Sequence, residues 1–124
     1  MGLDMYAFTT QYKPTKPVDF TVPKKIGTEE IFYWRKHPNL HGWMEQLYRS
    51  KGGVNPDFNC DKVVITAEDL DALEAAVRGE ALPETTGFFF GESTPEHQAD
   101  DLEFIAAART AIGAGLTVFY DSWW

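Results

Sequence analysis

Residues Leu3 to Phe8 alternate in a way that commits the chain to a sheet. Leu3, Met5 and Ala7 fall on one side of an extended backbone, and Asp4, Tyr6 and Phe8 on the other. Lys13-Pro14-Thr15-Lys16-Pro17 then acts as a connector, because its two prolines deny the backbone a ladder. Val18 to Val22 reads as a short edge strand returning beside the first, closed by Pro23. Lys62 to Ile65 is short and β-branched, and Leu116 to Tyr120 reads as the last strand. Gly87-Phe88-Phe89-Phe90-Gly91 has the composition of a central strand covered on both faces, which predicts a core role for the phenylalanines.

Helical segments lie between these strands. Thr28 is a good N-cap with Glu29 and Glu30 in the first turn, so the pattern predicts a short helix to about Lys36 that Pro38 interrupts. Asn39 is placed to cap a second helix whose apolar positions are Leu40, Trp43, Met44, Leu47 and Tyr48; Gly52-Gly53 ends it. Thr66 opens the clearest helix, with Asp69 at the capping-box position, Leu70, Leu73, Ala76 and Val77 as its apolar stripe, and Gly79 as its stop. Ser93 or Thr94 caps the last helix, with Pro95 at its first position and Leu102, Ile105, Ala106, Arg109 and Ile112 along one side.

With 124 residues a single core is economical. The expected fold is therefore one α+β domain over residues 1–124. It has two layers, a mixed or antiparallel sheet of four to five strands with helices mainly on one face. A three-layer α/β sandwich is the alternative, because strand–helix–strand units invite right-handed crossovers.

The net charge is −8, unevenly spread. Residues 1–51 carry 8 basic against 5 acidic side chains, whereas residues 52–124 carry 3 against 14. Such a chain repels duplex phosphates over most of its surface, which argues against non-specific nucleic-acid binding. Its apolar runs are too short for a membrane span, and Met1-Gly2-Leu3-Asp4 lacks the basic start of a signal peptide. The lone cysteine, Cys60, fits a reducing cytosol. These features predict a cytoplasmic protein without a membrane partner.

The candidate working surface is Tyr33 to Trp43, which gathers two tryptophans, a tyrosine, two histidines, Arg35 and Lys36. Aromatic faces can stack on flat ligands, and Arg and Lys can pair with anions. The candidate ligand-binding residues are Tyr33, Trp34, Arg35, Lys36, His37 and His41, joined by Asp121 and Trp123 from the C-terminal end. On one helix, consecutive side chains would point around most of its circumference, so they cannot all face one ligand. Arg35 is the best anchor for an anion because of its planar fork. His37 and His41 are four apart, but Pro38 between them argues against a metal pair, and no metal or cofactor is expected. Cys60 has no fixed histidine partner and reads as a small apolar residue rather than a nucleophile. Asp4 and Asp121 lie in or beside terminal strands, where an acid wants a partner: either one pairs with Arg35 or a histidine, or both line a cleft with Tyr6, Tyr33 and Trp123. Gly91 to Pro95 reads as a helix start rather than an anion site, since Glu92 and Glu96 would repel the anion.

Met1-Gly2-Leu3-Asp4-Met5-Tyr6, Tyr33-Trp34-Arg35-Lys36, Phe58-Asn59-Cys60, Phe88-Phe89-Phe90-Gly91 and Tyr120-Asp121-Ser122-Trp123 together resemble a family of small phage and prophage proteins, over most of the chain. Some members carry a phosphoglycerate kinase label. This chain has length for one lobe at most of such a two-lobed enzyme, and it has no P-loop or kinase-type glycine loop. The resemblance implies expression inside an infected bacterium and an accessory, anti-defence type of role. The expected function is binding of a host protein or of a small anionic, nucleotide-like ligand. The alternatives are a small enzyme acting on a phosphorylated or nucleotide substrate, and an acidic module that blocks a basic host surface.

Overall fold

The computed structural model describes residues 2–87 and 90–124. The described residues form an α+β domain of seven elements in the order β1 (Asp4–Thr10), β2 (Glu29–Arg35), α1 (Pro38–Ser50), β3 (Val63–Ile65), α2 (Ala67–Arg78), α3 (Glu96–Gly113) and β4 (Thr117–Trp123). The strands make one antiparallel sheet in the order β2-β1-β4-β3. The alternation read at Leu3–Phe8 therefore sits at the centre of the sheet. Met5 pairs with Trp34 on one side and Ser122 on the other, and Ala7 pairs with Phe32 and Tyr120.

Strand alternation sorts these residues onto two unlike faces. Leu3, Met5, Ala7, Trp34, Val63, Ile65, Val118 and Tyr120 join Leu40, Met44, Leu70, Leu73, Phe104 and Ala108 from the helices in one core. The helices thus cover one face of the sheet. The opposite face carries Asp4, Tyr6 and Phe8 of β1 with Tyr33, Arg35, Phe119, Asp121 and Trp123 from its neighbours. The connector reaches over part of it, with Phe20 set edge-on to Phe119 at 5.2 Å between ring centres.

The segment after Thr28 is a strand, where its acidic start predicts a helix. Ile31, Phe32, Tyr33 and Trp34 are β-branched or aromatic, and β1 offers an open ladder edge to them. A helix of two turns cut short at Pro38 would be marginal by comparison. The ladder continues to the Lys36 N–H, which donates to the Leu3 carbonyl at 2.9 Å. A bulge between Ala7 and Phe8 accommodates Ile31, so that Glu30 lies opposite Phe8.

Other expectations are also corrected. Val18 makes an isolated bridge to Val63, so the connector borders β3 rather than returning beside β1. α1 begins with Pro38 after His37, two positions earlier than a cap at Asn39 allows; proline tolerates this place because the first helical N–H has no partner in the helix. Phe88 and Phe89 lie outside the described residues. Their neighbours Gly87, Phe90 and Gly91 are not in a strand, and the central places of the sheet belong to β1 and β4. Phe90 is nevertheless buried, edge-on to Trp124 at 5.0 Å. Along α3 the buried residues are Asp101, Phe104, Ile105, Ala108 and Ala111, while Ala106 and Arg109 are exposed. Arg109 instead reaches across to Asp71 and Glu74 of α2, at 2.8 and 2.7 Å. Alanines and polar residues fall on several sides of this helix, so its sequence does not single out one stripe.

The start of α2 is as expected. The Thr66 hydroxyl accepts the Asp69 N–H at 3.2 Å, and the Asp69 carboxylate accepts the Thr66 N–H at 2.8 Å and pairs with Lys51. Thr66→Ala should lower stability by about 1 kcal/mol, the usual worth of such a cap. Equilibrium denaturation checks this, and an unchanged midpoint at unchanged slope would contradict it.

Candidate functional site

The uncovered sheet face brings together a compact set of chemistry-bearing side chains. Asp4 stands between Arg35 on β2 and Trp123 on β4, and one step along β1 Tyr6 stands between Tyr33 and Asp121. The Tyr33 hydroxyl donates to the Asp4 carboxylate at 2.5 Å. That bond, reinforced by the carboxylate's charge, holds the Tyr33 hydroxyl protonated and pushes its pKa up to about 12. Arg35 Nε lies 3.7 Å from the same Asp4 oxygen, so one carboxylate serves both neighbours. Tyr6 packs on Tyr33 and Phe8 with ring centres 5.4 and 5.8 Å apart, and Phe8 stacks on Phe119 at 5.4 Å. Trp123 is 70% exposed and Tyr33 45%, so much of this aromatic surface is in water.

Around Tyr6 the carboxylates of Asp4, Glu30 and Asp121 face two cations, Arg35 beside Asp4 and Lys62 beside Asp121. Burial pushes the Tyr6 hydroxyl pKa up, and the carboxylates of Asp4, Glu30 and Asp121 push it further. Burial also raises the Asp121 carboxyl, although Lys62 lies 3.6 Å away and the Ser122 N–H donates to it at 2.8 Å. The neighbouring Cys60 thiol is pushed up by burial and by Asp121 and Asp61. A raised thiol pKa disfavours the thiolate that nucleophilic chemistry would need there.

Sheet alternation splits the sequence-derived candidates. Tyr33, Arg35, Asp121 and Trp123 meet on the uncovered face, with Asp4 and Tyr6 among them. Asp4 both pairs with Arg35 and lies in the aromatic cluster, so the two roles offered for it coexist. Lys36 is exposed at the turn into α1, with a positive φ of 55°. Trp34, His37 and His41 go to the helix side, which removes them from any ligand at Tyr33 and Arg35.

His37 and His41 also part from each other. His41 is buried, its Nδ1 lies 2.6 Å from the Tyr120 hydroxyl, and its ring packs on Phe58 and Phe90. Burial lowers its pKa to about 4, against a weaker opposing effect of a hydrogen bond to the Phe58 backbone. Among the described residues no three His, Cys, Asp or Glu side chains gather as a metal-holding group.

A second cluster on the helix side was not legible as a site in the sequence. Asp101 of α3 is 1% exposed; its Oδ1 accepts the Trp34 indole N–H at 3.1 Å and its Oδ2 lies 2.9 Å from His37 Nε2. His37 Nδ1 lies 2.6 Å from the Ser93 hydroxyl, which accepts the Asn39 N–H at 3.1 Å. Ser93 therefore serves the start of α1 rather than capping α3, whose N-cap is Pro95. His97 stacks on His37 with ring centres 4.1 Å apart. The signal that marks this cluster is an acid at helical spacing with Phe104, Ile105 and Ala108, since a buried carboxylate requires donors.

No protein-family model, curated protein or solved structure matches this chain. Among the described residues no helix is long and apolar enough to cross a membrane.

The titration of His41 has a stability consequence with a definite sign. Its folded pKa of about 4 lies below the ordinary value of 6.5, so the unfolded chain binds the proton more readily. Stability is full above about pH 6.5 and declines as pH falls towards about 4, by roughly 3 kcal/mol at most. Denaturation at a series of pH values checks this. His41→Phe should flatten the slope in that window, and a slope unchanged by the substitution would assign the effect to other groups.

Proposed function

We propose that this protein is a binding module that docks a basic segment of a partner protein on its uncovered sheet face. The observation that carries this reading is the arrangement of Tyr6, Tyr33 and Trp123 around Asp4 and Asp121, with three carboxylates acting on the Tyr6 hydroxyl. Aromatic faces attract Arg and Lys head groups, and the carboxylates give those groups a second, charge-assisted partner. The chain's net charge of −8 would steer such a partner in from a distance. Within the phage setting that the resemblance implies, the partner is a basic host protein in the bacterial cytoplasm, and covering its surface is an anti-defence role.

This reading is preferred to a small anionic ligand. Arg35 is the cation best placed for an anion, but Asp4 already stands beside it and Asp121 and Glu30 flank the same face. An incoming phosphate would meet three acids, and the two cations there, Arg35 and Lys62, each already stand beside a carboxylate.

Calorimetric titration with an arginine- and lysine-rich peptide and with a glutamate-rich peptide of equal length tests the proposal. Only the basic peptide should bind, and added salt should weaken it. Trp123→Ala and Asp121→Asn should each weaken it by about tenfold, equivalent to about 1.4 kcal/mol, with folding intact. Binding of an anionic probe that is lost in Arg35→Ala, or basic-peptide binding indifferent to both substitutions, would contradict it.

A further inference from the structure

On the helix side of the sheet, Ser93, His37 and Asp101 stand in the order a nucleophilic hydrolase requires. We propose that they form an esterase site. Ser93 would be the nucleophile, His37 its general base and Asp101 the residue that positions the imidazole. The inference is independent of the binding face, from which the sheet separates it.

The hydrogen bonds assign the protons. Asp101 is a carboxylate accepting from Trp34, so His37 Nε2, 2.9 Å from its other oxygen, carries a hydrogen. That leaves the lone pair of neutral His37 on Nδ1, 2.6 Å from the Ser93 hydroxyl. The Asn39 N–H donates to one lone pair of Ser93 Oγ at 3.1 Å, and the hydroxyl's own hydrogen remains to donate to the unprotonated His37 Nδ1. This is the relation of nucleophile, base and orienting acid that activates a serine. His37 and Asp101 are 2% and 1% exposed, and the stack of His97 on His37 holds the imidazole plane.

Ser93 itself is only half-buried, and it borders a cleft of about 300 Å³. Val77, Leu82 and Pro95 give this cleft apolar walls, and Glu80 gives it an acidic one. On the other side of Ser93, Glu84 and Glu92 line a second recess. The acids disfavour a phosphorylated or carboxylate-bearing substrate. A short carboxylic ester, uncharged or cationic, fits the walls. Pro38 opens α1, so the Asn39 N–H lacks a helical partner; it donates to Ser93 Oγ and would steady negative charge on that oxygen as its proton leaves.

In the reaction Ser93 Oγ bonds to the ester carbonyl carbon while its proton passes to His37 Nδ1. The tetrahedral adduct then releases the alcohol as its C–O bond breaks, and His37 Nδ1 returns the proton to the leaving oxygen. Water attacks the acyl-serine, giving one proton to His37, which passes it back to Ser93 as the carboxylic acid departs. No oxidant or metal is needed.

The site also has a purely structural reading, in which Ser93 only ties its loop to α1. Labelling with a neutral fluorophosphonate, read by intact mass and peptide mapping, separates the two. Activation predicts one phosphonyl group per chain, on Ser93, absent from Ser93→Ala. A loop tie predicts no labelling, or labelling of Ser93 no faster than of the exposed Ser50, and either result overturns the proposal. Ser93→Cys guards against loss of the fold in the alanine variant. The thiol introduced at position 93 should react with iodoacetamide about tenfold or more faster than Cys60 of the same chain, whose thiol pKa is raised. Equal rates would again overturn the proposal. Asp101→Asn, checked for folding by circular dichroism, should slow labelling and alter its pH profile, which a loop tie would leave unmoved. Turnover of p-nitrophenyl acetate and of a trimethylammonium-bearing ester should exceed that of a carboxylate-bearing ester by roughly tenfold.

Discussion

The carboxylate of Asp101 is the group around which the helix side of the molecule is built. A charge this deeply buried persists only with full hydrogen bonding, and removing one partner of such a group costs roughly 3–5 kcal/mol. Its two donors come from different elements: Trp34 from an edge strand and His37 from the residue preceding α1. One side chain of α3 therefore fixes β2 and the entry to α1 together. The Trp34 ring closes the joint from the apolar side, edge-on to Phe104 of the same helix at 4.9 Å. Through His37 the network reaches Ser93, and through Ser93 the loop that leads into α3. Directional bonds thus set the register of pieces whose apolar contacts alone would tolerate some sliding.

The sheet divides the chemistry in two. Tyr33 and Trp34 are neighbours in sequence, yet one faces the aqueous aromatic surface and the other the Asp101 joint, because successive strand residues point to opposite sides. The same alternation on β4 puts Asp121 and Trp123 in the open and Tyr120 against His41. On the open face, Asp4 is shared by Tyr33 and Arg35, which limits how strongly Arg35 can answer an anion. Exposed ion pairs contribute little to stability, so this face is free to be shaped by what it binds.

Much of the architecture was legible from local pattern. The strands read at Leu3–Phe8, Lys62–Ile65 and Leu116–Tyr120 are observed at Asp4–Thr10, Val63–Ile65 and Thr117–Trp123, because their alternation or β-branching matches the pleat; the last runs three residues further than read, since β1 pairs with it as far as Trp123. The helix after Thr66 has both halves of its cap in the sequence. The segment from Thr28 misled because cap and charge signals are local, whereas the ladder offered by β1 is not. The stripe of α3 misled because alanines on several faces leave the periodicity flat, and Arg109 found its partners on α2. Half of the candidate surface was recognisable, since Tyr33, Arg35, Asp121 and Trp123 do converge. The Ser93–His37–Asp101 cluster was not, because its members are 56 and 64 residues from His37 and only tertiary packing joins them. Asp101 among Phe104, Ile105 and Ala108 was the one clue to it.

The account turns on Asp101 holding the imidazole of His37 in one tautomer, with hydrogen on Nε2 and a lone pair on Nδ1 towards Ser93. Nitrogen-15 chemical shifts of selectively labelled histidine test this directly at about pH 8, above the ordinary imidazole pKa of about 6.5. The account predicts a protonated Nε2 and an unprotonated Nδ1 for His37. A hydrogen on Nδ1, or exchange between the two tautomers, would contradict it.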